Sequence, residues 1–355
     1  MSLLPLLLER IAADGPITLS DYMAECLLHP EHGYYSSRDP LGVAGDFTTA
    51  PEISQMFGEL LGLALAQAWV DQGRPAPFTL AELGPGRGTL MADALRATHS
   101  VPGFLEAAQL HLIEASPVLR AMQSRALEPH SPVWLDHVQD LPRQPLFLIA
   151  NEFFDALPIR QFIRDGAGWR ERLVGARDKG LVFGLGAVTP QPALSSRLDD
   201  TRDGDLVELC PSAAAIMDPV AGRIAGHGGV ALIVDYGDWR ALGDTFQAVR
   251  DHRPADPLTD PGQADLTAHV DFETLALAAR KAGCFHARLT PQGVFLERLG
   301  ITPRAEQLAK PLTGAALDSL VAAHRRLTHP DEMGNLFKVL GVYPASANPP
   351  PGLER

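Results

Sequence analysis

The residues best suited to chemistry lie in the segment LAELGPGRGTL, residues 80–90. An apolar run leads into Glu82, Gly84, Pro85, Gly86 and Gly88 follow, and a helical pattern comes next. Glycines let a backbone turn sharply and approach a ligand closely, and a helix start presents free N–H groups. A dinucleotide fingerprint needs G-x-G-x-x-G. Here the spacing is G-x-G-x-G, and Thr89 stands where the third glycine would be. A carboxylate at position 82 would also face a pyrophosphate unfavourably. It suits S-adenosylmethionine, which has no phosphate but carries an ammonium and a sulfonium. A glycine turn with no ligand is the competing reading.

Further candidates end the neighbouring apolar runs. Glu114 closes HLIE, where an acid holds ribose hydroxyls; nucleotide dehydrogenases use the same device, so this position does not discriminate. Asp136 follows the next run and suits an adenine amino group or a solvated strand end. Asn151, Glu152 and Asp155 follow LFLIA in ANEFFDALP, at what should be the carboxyl edge of a sheet. Helix capping is their alternative explanation. Asp46, Thr48, Thr49 and Glu52 cluster in GDFTTAPE, before a long apolar helix. There Thr49 could cap and Glu52 could serve as a first-turn acid, while capping does not account for Asp46. His269 and Asp271 follow a polar stretch and are candidates for a substrate mouth.

The elements that must position these groups can be read from periodicity. Short apolar runs at 78–83, 110–114, 133–135, 146–150 and 230–235 alternate with helical stretches at 89–97 and 117–127, the pattern of βαβ units. Runs such as LFLIA and VALIV are continuous enough to be buried on both faces. The fold class expected is a Rossmann-like, doubly wound α/β sheet. The N-terminal part reads as helices at 3–13, at 21–28 with Ser20 as cap, and at 51–70. Residues 160–188 read as two or three antiparallel strands, 189–202 as a surface loop and 243–268 as a long polar loop. Helices are expected at 211–225, 269–283 and 301–326, a closing hairpin at 284–299 and a loose tail at 349–355. The domain organisation expected is a helical region with a cofactor-covering loop (1–76), a core from 77–159 and 226–300, a substrate-side insertion (160–225) and C-terminal helices with a tail (301–355).

Bulk properties narrow the function. A formal net charge of −13 without a dense basic cluster disfavours a nucleic-acid partner. Three scattered cysteines without a C-x-x-C pair give neither a metal site nor a disulfide framework. The opening MSLLPLLLERIAADG lacks the marks of a signal or transit peptide, and no run approaches the roughly 18 apolar residues of a membrane span. These features give the expectation of a reduced, cytoplasmic chain without membrane insertion. The sequence does not speak to oligomeric state.

Several blocks together resemble one family. GDFTTAPEISQMFGELLG (45–62), LAELGPGRGTL (80–90), HLIEASPVLR (111–120), ANEFFDALPIRQF (150–162), DYGD (235–238), AHVDF (268–272) and MGNLFKVL near the C-terminus resemble the MidA family of methyltransferases, over nearly the whole chain. The resemblance implies the class I methyltransferase fold with a family-specific antiparallel insertion, and S-adenosylmethionine as cofactor. It implies a protein-arginine methyltransferase acting on a core subunit of respiratory complex I or its bacterial counterpart. A bacterial cytoplasmic setting is expected from the N-terminus. The alternative is a methyltransferase-fold assembly chaperone with little or no catalysis.

An arginine acceptor is fully protonated at neutral pH, so carboxylates must orient its guanidinium and take its proton. On this reading Asn151, Glu152, Asp155 and Asp46 are the catalytic candidates. Glu82, Gly84, Pro85, Gly86, Gly88, Glu114, Asp136 and Thr48 are the cofactor-binding ones. Asn151 and Phe154 also resemble the Asn-Pro-Pro-aromatic signature of amine- and amide-methylating enzymes, with Glu152 and Phe153 in place of both prolines.

Overall fold

The computed structural model describes residues 2–37 and 49–355. Two compact units emerge. The first comprises Asp155–Ala213, Arg240–Asp271 and the described part of Met1–Phe47; the second comprises the described part of Thr48–Phe154, Ala214–Trp239 and Phe272–Arg355.

The second unit is built on a mixed sheet. Its strands are β1 (Phe78–Leu83), β2 (Ala108–Ile113), β3 (Val133–Leu135), β4 (Leu146–Asn151), β5 (Gly229–Asp238), β6 (Cys284–His286) and β7 (Phe337–Pro344). They lie in the order β6-β7-β5-β4-β1-β2-β3. The five strands β1 to β5 are parallel, while β7 runs antiparallel to β5 and β6 antiparallel to β7. Every residue of β1 and β4 is buried, which is why those runs read as continuous apolar segments rather than alternating ones. The parallel strands place Glu82, Glu114, Asn151 and Asp235 towards their carboxyl ends, where ligands of such sheets bind. The expected α/β fold class is the one observed.

Helix Gln55–Asp71 packs on helix Thr89–Thr98, the helix that follows the glycine loop. The approach is close because Gly58 and Gly62 share one face. A Cβ on Gly58 would meet the Leu90 carbonyl oxygen at 2.7 Å, and one on Gly62 would meet the Ala94 Cα at 2.6 Å. The long helix expected at 51–70 is instead two. Ser54 adopts φ −160°, ψ 135°, ends Ala50–Ile53 and caps the next helix through Oγ, which accepts from the Met56 N–H.

Further along this unit, the expected hairpin at 284–299 does not form. β6 pairs with β7, and Gln292–Leu299 is a helix whose Phe295, Leu296 and Leu299 pack into the core. The run VFL was short enough to suit either element. The tail is not loose: Leu353 joins the core and the Glu354 carbonyl accepts from the Arg288 N–H at 2.7 Å.

The first unit contains the antiparallel strands Arg160–Asp165, Gly168–Arg177, Gly180–Thr189 and Leu206–Leu209, with Gly168–Arg177 pairing on both sides. Helices Leu3–Asp14 and Leu19–Leu28 supply Leu3, Leu7, Tyr22, Met23 and Leu27 to its core. The second helix is capped by Thr18, not Ser20: the Thr18 side chain accepts from the Asp21 N–H. The expected loop at 189–202 contains a 3-10 turn, Pro192–Leu198, with Leu194 and Arg197 buried. The expected loop at 243–268 contains a small sheet of Gln247–Arg250, Arg253–Ala255 and Asp265–Thr267. Its polar outer residues hid the apolar side of strands that bury Ala248 and Leu266.

Candidate active site

The glycine loop leaves β1 directly after a buried acid. Glu82 is only 3% exposed, and its Oε2 has no hydrogen-bond partner among the described residues. Burial, with Glu114 adding to it, pushes the Glu82 carboxyl up to about 8. An uncompensated buried carboxyl is costly, so this group fits a ligand that brings hydrogen-bond donors and positive charge.

Gly84, Gly86 and Gly88 all have positive φ, between 55° and 84°. Gly84 is required twice over: its φ is +59°, and a Cβ there would sit 2.9 Å from the Phe153 ring. Its N–H donates to the Ile113 carbonyl at 2.9 Å, tying the loop to β2.

At the end of β2, Glu114 is held by its surroundings. Its Oε1 accepts from the Ser116 N–H at 2.8 Å and its Oε2 from the Gln123 amide at 3.1 Å. Burial still pushes its carboxyl upward, against these bonds. Gln123 is fully buried and bridges three elements. Its amide also donates to the Gly86 carbonyl at 2.7 Å, and its oxygen accepts from the Trp134 indole N–H at 2.8 Å. Arg120 donates to the Glu114 carbonyl and, at 2.6 Å, to Asp136. The Asp136 side chain is mostly exposed and shares its Oδ1 with that arginine. Gln123 and Arg120 escaped the sequence reading because their roles depend on helix Pro117–Ala126 folding back over the strand end.

The end of β4 is a different construction. Asn151 is buried; its amide nitrogen donates to Glu152 Oε1 at 3.1 Å, while its Oδ1 has no partner among the described residues. Glu152 has φ +50°, a left-handed conformation that costs a non-glycine residue about 1–2 kcal/mol. Its N–H donates to the Val234 carbonyl and its Oε1 also accepts from the Ala50 N–H at 2.8 Å. Asp235, fully buried at the end of β5, accepts from the N–H groups of Phe153 and Phe154 at 3.2 and 3.0 Å. The sequence signal for Asp235 was present in DYGD, although its task of holding the preceding loop was not legible. No helix follows Asn151, so neither it nor Asp155 is a helix cap. Glu52 does sit in a first helical turn, where its Oε1 accepts from the Thr89 hydroxyl at 2.6 Å, whereas Thr49 makes no side-chain cap bond.

The structure thus brings together Glu82, the glycine loop, Glu114, Asn151 and Glu152 within one unit. Asp155 belongs to the other unit, with Tyr35, Asp265, His269 and Asp271. The His269 N–H donates to the Thr245 hydroxyl, and Asp271 accepts from the Ala241 N–H. Asp46 and Thr48, expected to help catalysis and cofactor binding, lie outside the described residues.

A mixed sheet of this order, with an acid before a glycine loop and a second acid on the next strand, defines a class I methyltransferase. Comparisons with known proteins agree. Residues 60–290 match the family model for S-adenosyl-L-methionine-dependent methyltransferases. The mitochondrial protein arginine methyltransferase NDUFAF7 of Xenopus laevis is 40% identical over 97% of this chain and 85% of its own. Its Homo sapiens counterpart is 39% identical over 95% and 82%. A Burkholderia thailandensis crystal structure bound to S-adenosyl-homocysteine superposes with a TM-score of 0.84 at 30% identity, covering 96% of this chain and 91% of its own. The chain belongs to this S-adenosylmethionine-dependent methyltransferase family, together with the NDUFAF7 proteins, and S-adenosylmethionine is its cofactor.

One expectation is corrected by these relatives. The bacterial cytoplasmic setting inferred from the N-terminus does not stand, because the curated relatives are mitochondrial proteins. The composition of the first residues reports on the helix Leu3–Asp14, which is part of a core, and not on a compartment. Among the described residues no helix is long and apolar enough to cross a membrane.

Proposed function

We propose that the protein is a protein-arginine N-methyltransferase whose client is a core subunit of respiratory complex I. The relatives named as arginine methyltransferases, aligned over nearly the whole chain, support the acceptor class. The single observation that carries transfer to a nitrogen is the buried Oδ1 of Asn151, which has no partner among the described residues. Its amide nitrogen is turned towards Glu152, so Oδ1 is left to accept an N–H from the acceptor and orient it.

The bound cofactor supplies an electrophilic methyl group; the protein supplies position, charge and exclusion of water. Glu82 pairs with the cofactor's cationic end, and the positive-φ turn from Gly84 through Pro85 and Gly86 to Gly88 keeps side chains out of its way. Glu114, fixed by Ser116 and Gln123, accepts from ribose hydroxyls, and Asp136 offers its second oxygen to the adenine amino group. Glu152 fixes the Asn151 amide and adds negative charge beside the acceptor.

The test is incubation with S-adenosylmethionine and a peptide library carrying one central arginine, followed by mass spectrometry. The expected result is a methylated arginine with S-adenosylhomocysteine formed, and no product from the same library with lysine. Cofactor binding without transfer to any arginine peptide would overturn the assignment.

A further inference from the structure

Within the second unit, the short helix Ala50–Ile53 is bonded both to the helix that leaves the glycine loop and to the end of β4. Its first N–H, from Ala50, donates to Glu152 Oε1 at 2.8 Å. Its third residue, Glu52, accepts at Oε1 from the Thr89 hydroxyl at 2.6 Å. Thr89 is the first residue of the helix after the glycine loop, and Glu152 follows Asn151, the last residue of β4. Between these contacts the segment is a small rigid body. The Glu52 and Ile53 N–H groups both donate to the Thr49 carbonyl, Ala50 is fully buried, and Ile53 packs on the core.

A first-turn acid serves its own helix by charge alone. Glu52 instead directs its carboxylate to a hydroxyl on another helix. That helix has Gly88 at its cap position, which offers no side-chain oxygen, so Glu52 brings the negative charge that a helix start favours. The Ala50 contact bears on a strained residue. Glu152 is left-handed, with φ +50°, and such a conformation in a non-glycine residue persists only where its surroundings over-determine it. The Oε1 that takes the Ala50 N–H also takes the Asn151 amide at 3.1 Å. Loss of the Ala50 bond therefore removes one restraint on Glu152 and, through it, one on Asn151.

We propose that Glu52 is a positioning residue for methyl transfer: by binding Thr89 it sets the helix Ala50–Ile53, which through Ala50 and Glu152 fixes the Asn151 amide. The glycine loop and Asn151 are thereby held in one register. The role rests on the reading of Asn151 as the group that orients the acceptor nitrogen. Glu52 acts through its neighbours and not on the reacting atoms. A misplacement of 1 Å costs a reaction about 10²-fold in rate, so a loosened helix is felt in transfer before it is felt in cofactor binding.

The experiment is single-turnover methyl transfer by the full chain to an arginine peptide, with S-adenosylhomocysteine titration of every variant. Glu52→Ala and Thr89→Val should each slow transfer by about tenfold, while affinity for S-adenosylhomocysteine changes by less than about twofold. Combining them should slow transfer no further, because both break one contact. Glu52→Gln keeps an oxygen for that contact and Thr89→Ser keeps a hydroxyl, so both should transfer at the parental rate. Hydrogen exchange gives a readout that needs no transfer. S-adenosylhomocysteine should add protection to the amides of residues 152–154 in the parent and not in Thr89→Val. Parental rates in Glu52→Ala and Thr89→Val beside a slow Asn151→Ala would overturn the proposal and leave the Asn151 reading intact. Equal ligand-induced protection in parent and variant would also overturn it, as would a loss of rate that merely follows a loss of cofactor affinity. A parental rate in Asn151→Ala would overturn the Asn151 reading instead, and the exchange result would then decide the link between loop and strand end by itself.

Discussion

Three strand ends in the same sheet solve the burial of polar groups in two opposite ways. At the end of β2, Glu114 has both carboxylate oxygens engaged by Ser116 and Gln123, and Gln123 in turn is locked to Gly86 and Trp134. At the ends of β1 and β4, Glu82 Oε2 and Asn151 Oδ1 are buried without partners among the described residues. The first is a finished scaffold that needs no ligand to be satisfied. The second keeps acceptors in deficit, held open by Asp235 and by the left-handed Glu152. The difference lies in what supplies the hydrogen bonds: the protein does so at Glu114, and it leaves an acceptor open at Glu82 and at Asn151. Where a group must stay fixed, the protein supplies its hydrogen bonds; where it must meet a cationic or N–H-bearing ligand, the ligand supplies them.

The largest test of this contrast is the pH dependence of Glu82. Its folded-state value near 8 lies above that of an ordinary carboxyl. Below about pH 4 both folded and unfolded chains hold the proton. As the pH rises towards 8 the unfolded chain releases it first, so the stability this group contributes is lost across that window. The stability of the parent in chemical denaturation should therefore fall relative to that of Glu82→Gln by roughly 3–5 kcal/mol as the pH rises between these limits. Parallel pH profiles would show that Glu82 is solvated and the deficit unreal. In the parent, affinity for S-adenosylmethionine should also rise with pH through about 8, since the cationic ligand favours the ionised form.

Gly84→Ala comes next. A left-handed alanine costs about 1–2 kcal/mol, and its Cβ would press on the Phe153 ring. The combined loss should be about 2–3 kcal/mol by thermal or urea unfolding, with cofactor binding weakened as well. On the finished side, Gln123→Ala strips partners from Gly86, Glu114 and Trp134. It should cost about 1–3 kcal/mol in urea unfolding and lower cofactor affinity by displacing Glu114. The smallest effect belongs to Asp136→Asn, whose exposed pair with Arg120 should contribute under about 1 kcal/mol; a larger loss would place it within the scaffold.

Much of this architecture was legible in the chain. β1 and β3 fall where the apolar runs place them, and the glycine loop lies between a buried acid and a helix as its spacing implied. Local signals carry such features, because a fully buried strand must be continuously apolar and a tight turn needs positive φ. What escaped depends on distant partners. Phe337–Pro344, the partner of both β5 and β6, lies beyond four helices, so Gln292–Leu299 stood in for it in the reading. Gln123 and Asp235 are ordinary polar residues until the fold delivers three acceptors and donors to one and two backbone N–H groups to the other. Asp155 looked like a neighbour of Asn151 by sequence, yet Tyr35 and Asp265 share its unit.

The central claim is that Asn151 orients the acceptor nitrogen without helping to hold the cofactor. The most direct measurement is single-turnover methyl transfer to an arginine peptide by Asn151→Ala, paired with titration of the same variant by S-adenosylhomocysteine. The account predicts unchanged affinity and a transfer rate lower by about 10²–10⁴-fold. Transfer at the parental rate, or a loss of rate that merely follows a loss of affinity, would contradict it.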